Sequence, residues 1–138
     1  MKYRGIGTTL KMGTTSPVTI GQLTSIGGLE LSSETVDSTT LDSAGGYREF
    51  VGGFKDGGEV SLEGYFDAAA GIGHAELKAK FDSQTVEPFI IEFPAVMKTK
   101  WEFDGIVTGI GTSVDLDGLI TFSATIKVSG EPDLTVTP

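Results

Sequence analysis

Side chains that commonly do chemistry are scarce in this sequence. Of 138 residues, one is histidine and none is cysteine. The histidine, His74, would need a nucleophile and an orienting partner to act as a general base. The local sequence GIGHAELKAK supplies neither, and His74 reads as a surface or capping residue at a helix start. One His without Cys also falls short of a zinc site. Gly-Ile-Gly occurs at 5–7, 71–73 and 109–111. No copy completes G-x-G-x-x-G between a strand and a helix, so these are turn and bend glycines rather than a phosphate cradle. Asp115-Leu116-Asp117-Gly118 opens like a calcium loop but lacks the third ligand spacing and the closing Glu. A hairpin turn accounts for it. Glu59 and Glu63 share one face of a strand at ~13 Å. That is too far for a retaining glycosidase pair and long for an inverting one. The sequence therefore predicts no enzyme, no cofactor and no metal.

Composition narrows the class further. Ten basic and nineteen acidic residues leave a formal charge of −9. Phosphate-backbone binding wants clustered Lys and Arg, so nucleic acid is not the expected ligand. The charge serves solubility, or it makes a surface that repels nucleic acid; charge alone does not separate the two. No run approaches the ~18 apolar residues that span a membrane. The N-terminus has basic residues but no continuous apolar stretch, so it does not read as a signal peptide, and folding in a cytoplasm is expected. Twenty glycines, dispersed as GG, GIG and DG punctuation, mark many turns and hence a β protein.

The elements follow from periodicity. Residues 1–16 read as an N-terminal arm. Strands are expected over 18–23, 29–31 and, in extended style, 34–41. Tyr47 to Phe54 reads as a short ribbon. Val60, Leu62 and Phe66 alternate with Glu59, Ser61, Glu63 and Tyr65 in the clearest strand. The one expected helix runs from about 73 to 82, followed by strands over 87–93 and 97–110. Ile106 and Ile110 are out of phase with Trp101 and Phe103, which predicts a bulge or bend at Gly105. After a turn at Asp117-Gly118, Ile120, Phe122, Ala124, Ile126 and Val128 face one way; residues 129–138 read as a polar tail. The fold class is mainly β, a single domain of two packed antiparallel sheets (sandwich or barrel-like) with one flanking α-helix. The excursion 38–58 is far longer than a reversing loop needs to be. It carries Leu41, Tyr47, Phe50, Val51 and Phe54, and long ordered loops in small domains usually grip something.

Ser16 to Phe66 resembles the tail tube (major tail) proteins of long, flexible-tailed, lambda-type bacteriophages. The resemblance rests on ETVDSTTLDS, YREF, GGFKDGGEVSLEG, the later WEFDGIVT, and GLITFSATIKVSG, in that order. It implies a structural virion protein that forms hexameric rings. The rings stack into a hollow tube, the conduit for DNA ejection, made in the host cytoplasm and housed in the phage tail. It implies self-association as the main partnership, with tape measure, initiator and terminator proteins beside it. DNA passes without specific binding, and no membrane is involved. The 38–58 loop would reach neighbouring subunits. Leu41, Tyr47, Phe50, Val51 and Phe54 are natural anchors there, since aromatics dominate interface energetics; Arg48 and Glu49 would supply polar register. Candidates for the channel wall are Glu30, Glu34, Glu59, Glu63, Glu102 and Asp104. The alternatives are a carbohydrate- or protein-binding β-sandwich presenting Tyr47, Phe50 and Trp101, a small-ligand barrel, and a tail terminator or contractile-system tube.

Overall fold

The computed structural model describes residues 2–13, 17–69 and 71–137. Nine strands and one helix follow in the order β1 (Thr9–Met12), β2 (Val18–Ile20), β3 (Leu23–Gly28), β4 (Ser32–Asp37), β5 (Phe50–Asp56), β6 (Glu59–Tyr65), α1 (His74–Ser83), β7 (Glu87–Glu92), β8 (Thr99–Ser113) and β9 (Thr121–Val136). Seven strands form one antiparallel sheet, ordered β2-β1-β7-β8-β9-β6-β3; β4 and β5 pair separately.

The fold class is mainly β with one helix, and its two expected layers are parts of one curled sheet. The chain itself forces the curl. β2 and β3 are opposite edges of the sheet, yet only Gly21 and Gln22 separate them. Gln22 takes a left-handed φ of 59°, and its carbonyl accepts from the Tyr65 N–H at 2.9 Å. Two residues cannot cross a flat seven-stranded sheet, given ~4.8 Å between neighbouring strands. The edges must therefore meet. Gly64 lets them do so, because a Cβ there would strike the Gln22 carbonyl and sit 2.8 Å from Leu23 Cα.

One hydrophobic cluster fills the curl. Alternation supplies it: Val60 and Leu62 from β6; Phe89 and Ile91 from β7; Phe122, Ala124, Ile126 and Val128 from β9. Leu77 of α1 is fully buried against it. His74 is the one buried polar side chain among the described residues, 1% exposed. Its ring stacks on Phe122 with centroids 4.1 Å apart. The Asp67 N–H donates to Nδ1 at 3.1 Å, and Nε2 lies 2.8 Å from the Gly21 carbonyl. Those two bonds assign the proton to Nε2. His74 is thus a core pin between α1 and the edge-to-edge turn, not the surface residue its lone position suggests.

Three boundaries are corrected. Within the expected arm 1–16, residues 9–12 form β1, with Leu10 and Met12 in the core; residues 1 and 14–16 lie outside the described residues. Most of the expected tail 129–138 continues β9 to Val136, paired with β8 from Thr99 to Glu102; Pro138 lies outside the described residues. The phase slip in β8 is real but does not sit at Gly105, which shares the buried face with Phe103 and Val107. The register shifts fall between Glu102 and Asp104 and between Val107 and Gly109. Gly105 serves packing, since a Cβ there would come within 2.5 Å of Ile126 Cγ2.

Candidate subunit-contact surface

The expected loop 38–58 is largely the distal part of a β-ribbon. β4 and β5 pair from Ser32–Asp56 through Val36–Val51 to Asp37–Phe50, with an irregularity between Ser33 and Thr35. Every β4 residue is exposed, and all of β5 except one. A lone two-stranded ribbon in water is at best marginally stable. This one also carries apolar side chains with no core to enter: Leu41 at 106% exposure, Phe54 at 87%, Tyr47 at 78%, Phe50 at 56% and Val51 at 53%. Phe50 and Val51 point to opposite faces of β5, and exposed apolar side chains on an ordered ribbon of this kind mark an interaction surface.

The tip, residues 38–49, holds a defined shape through short polar side chains. The Thr39 N–H donates to Asp37 Oδ1 at 2.9 Å, and Arg48 donates to Asp37 Oδ2 at 3.0 Å. The Glu49 N–H donates to Thr39 Oγ1 at 2.7 Å. Ser43 Oγ accepts from the Thr40 N–H at 3.0 Å and donates to Glu49 Oε2 at 3.2 Å. A short 3-10 turn, Ala44–Gly46, then presents Tyr47, with Gly45 and Gly46 at φ 65° and 72°. Arg48 and Glu49, expected to give register to a partner, both make bonds within the tip. Asp37, Thr39 and Ser43 are the residues sequence reasoning passed over; the D-x-T spacing of an Asx turn was their available signal.

At its base the ribbon is tied to the sheet. Lys127 Nζ pairs with Asp56 Oδ1 at 2.9 Å, and the Leu29 N–H donates to the Glu59 carbonyl at 3.3 Å. Leu29 takes a φ of 57°, a conformation costly for a γ-branched side chain.

Hydrogen bonds from Thr39, its side chain first and its backbone N–H second, hold the Asp37 carboxyl below its ordinary 3.8, with Arg48 adding to the effect. A carboxyl depressed in the folded state contributes order that is present above the ordinary value and lost as pH falls through the folded one. The tip should therefore stay ordered from neutrality to about pH 4 and loosen below 3.8. Hydrogen exchange at the Thr39 and Glu49 amides against pH measures this. Asp37→Asn, which lacks the titrating group, should flatten the dependence.

The six acidic candidates for a channel wall divide among three places. Glu59 and Glu63 stand on the outer face of β6, opposite Lys127 and Ser123 of β9. Ser61, Thr121, Thr125 and Ser113 extend that face across β6, β9 and β8. Glu102 and Asp104 lie instead over the β7–β8 pairing, opposite Ile90 and Pro88, and Glu102 pairs with Lys100 at 2.8 Å. Glu30 precedes the ribbon and Glu34 is on it. Trp101 packs against the core from β8, on a different element from Tyr47 and Phe50. Among the described residues no helix is long and apolar enough to cross a membrane.

Comparison with solved structures places the fold among tubes and tails. The chain matches a protein of the native gene transfer agent (GTA) virion at TM-score 0.79 and 23% identity, covering 98% of this chain and 100% of that one. It matches a protein from the tail of the empty GTA particle at TM-score 0.79 and 24% identity, with the same coverage. The SPP1 tail tube matches at TM-score 0.72 and 12% identity, over 99% of this chain and 81% of that one. No curated protein sequence matches significantly. At the level of sequence, the family model described as lambda phage tail tube protein, TTP, matches residues 3–135. That span takes in the curled sheet, the helix and the ribbon alike, so the chain belongs to the lambda phage tail tube protein family and is a structural, tube-forming virion protein.

Proposed function

We propose that six copies of this chain close into a ring, that rings stack into the hollow tail tube, and that the β4–β5 ribbon is the clasp joining each copy to a neighbour. The observation carrying this reading is the ordered ribbon with Tyr47, Phe50 and Phe54 bare to solvent. A fixed tip keeps the entropy cost of docking low, and buried aromatics supply most of the energy of such contacts. Sixfold closure agrees with the C6 symmetry of the similar GTA tail. Tape measure, initiator and terminator proteins complete the partner set, and no step of assembly asks the chain for catalysis.

The outer face bearing Glu59 and Glu63 is our choice for the channel wall. Its Ser and Thr side chains hold water, and its two carboxylates repel phosphate, so DNA slides without sticking. Negative-stain microscopy of the purified chain, with initiation components added, should show hollow tubes with sixfold end views. Monomers alone under those conditions would move the assignment to a binding module. Glu59→Lys/Glu63→Lys should still form tubes but slow DNA ejection from the particle; unchanged ejection would remove this face from the channel.

A further inference from the structure

The ribbon needs a receptor, and the sheet carries a groove of matching character. It has a volume of ≈ 670 Å³ and lies where the N-terminal segment, β3 and the β7–β8 turn converge. Tyr3, Leu23, Ile26, Phe93, Pro94 and Met97 supply the apolar part of its lining, Thr8, Thr24 and Ser25 supply hydroxyls, and Arg4 stands in its wall. Among the described residues only four basic side chains, Lys2, Arg4, Lys55 and Lys98, lack a carboxylate partner; the other six are in ion pairs. Of these, Arg4 lines the groove itself. Lys2 and Lys98 adjoin the lining residues Tyr3 and Met97 in the chain, and Lys98 lines a neighbouring depression that shares Phe93 with the groove. In a chain of charge −9, an unpaired cation such as Arg4 in the wall of a groove with apolar side chains is a natural seat for an acidic, aromatic partner.

The ribbon has the opposite character. Between residues 32 and 56 it carries five carboxylates and two basic side chains. Arg48 and Lys127 take Asp37 and Asp56. Glu34, Asp42 and Glu49 have no ion-pair partner among the described residues, beside aromatics exposed by more than half. Acid beside aromatic on the ribbon meets base beside apolar in the groove. Complementary charge of this kind fixes register and steers encounter.

We propose that this groove receives the ribbon of a second copy, the aromatics entering the apolar lining and Glu34, Asp42 and Glu49 facing Lys2, Arg4 and Lys98. The assignment rests on the ribbon being a subunit clasp and names what it clasps. The contact is heterologous, ribbon to groove, so it propagates from copy to copy instead of ending at a pair.

Charge reversal tests it. Arg4→Glu/Lys98→Glu and, separately, Glu34→Lys/Asp42→Lys should each raise the concentration needed for tube growth about tenfold or more, a loss the size of one or two close charge pairs. A chain carrying all four changes should grow tubes close to the original concentration. Circular dichroism of each variant should match the parent, since all four residues are exposed or half-exposed at the surface. If ribbon reversal blocks growth while groove reversal does not, the clasp stands and the receptor assignment is overturned. If neither blocks growth, both fall. A second readout uses the absence of native cysteine. Phe54→Cys/Met97→Cys subunits, oxidised within assembled tubes, should give a ladder of covalent multimers on a denaturing gel. Tubes that assemble but yield only monomer bands would overturn the proposal.

Discussion

Replacing Tyr47, Phe50 and Phe54 together by Ala should leave the subunit folded and stop tube growth. The two halves of that result have separate physical grounds. These side chains are 78%, 56% and 87% exposed, and exposed substitutions away from special backbone usually change stability by less than about 0.5 kcal/mol. The melting transition should therefore coincide with that of the parent. Assembly responds differently, because truncating a central interface aromatic costs roughly 2 kcal/mol or more. Because such losses do not add in full, counting only two of the three, about 4 kcal/mol, gives a rise on the order of 10³-fold in the concentration at which tubes grow. Light scattering against concentration reads the threshold, and negative-stain microscopy shows the product. Normal tubes at the original threshold would show that the ribbon is not the clasp. Val86→Ala, on an apolar residue 47% exposed and outside both ribbon and groove, controls for nonspecific effects of substitution.

How much of this was legible beforehand depends on how far each residue's partners lie along the chain. The alternation in β6 and β9 names Val60, Leu62, Phe122, Ala124, Ile126 and Val128, which the structure buries, because a period of two is written locally. Phe66 and Ile120, which the same alternation names, lie just outside the strands and are 40% and 47% exposed. The helix, expected over 73–82, runs His74–Ser83, since Gly73 at a φ of 97° ends one pattern and Ala, Glu, Leu and Lys start another. The C-terminal half of β9 reads as a tail because residues 129–138 are polar and hold two prolines. Beyond Lys127, however, β9 pairs only with β8, and an edge strand tolerates a residue with no N–H to give. β1 was missed because it buries only Leu10 and Met12, too short a pattern to stand out from an arm. The ribbon's length and apolar content were legible. The groove was not, since it joins Arg4, Ile26 and Met97, which only the curl of the sheet brings together. His74 reads as a surface residue for the same reason, its second hydrogen-bond partner lying 53 residues away at Gly21.

Phe122→Ala should lower the free energy of unfolding by roughly 3–5 kcal/mol, among the largest single losses expected in the core. Phe122 is 2% exposed and sits where three structures meet. Its ring lies 4.1 Å from that of His74 at an angle of 7° and 6.1 Å from that of Phe66. It also belongs to the β9 register, opposite Gly64, where the sheet's two edges close. Truncation removes the stack and leaves a cavity beside the imidazole. A domain of this size is stable by only about 5–15 kcal/mol, so the variant should unfold at markedly lower urea concentration with an unchanged m-value. Phe122→Leu, which fills most of the space, should cost under about 2 kcal/mol. His74→Phe separates stacking from hydrogen bonding: the ring survives, but the Asp67 N–H and the Gly21 carbonyl lose their partner. Each of the two groups left unmatched costs about 1–3 kcal/mol, so His74→Phe should cost more than Phe122→Leu. If it were instead as stable as the parent, stacking alone would pin the helix to the seam. Because the curl positions both the ribbon base and the groove, subunits weakened at Phe122 should lose assembly only as they lose fold. The triple ribbon variant loses assembly with its fold intact, and that contrast distinguishes a core residue from a contact residue in this family.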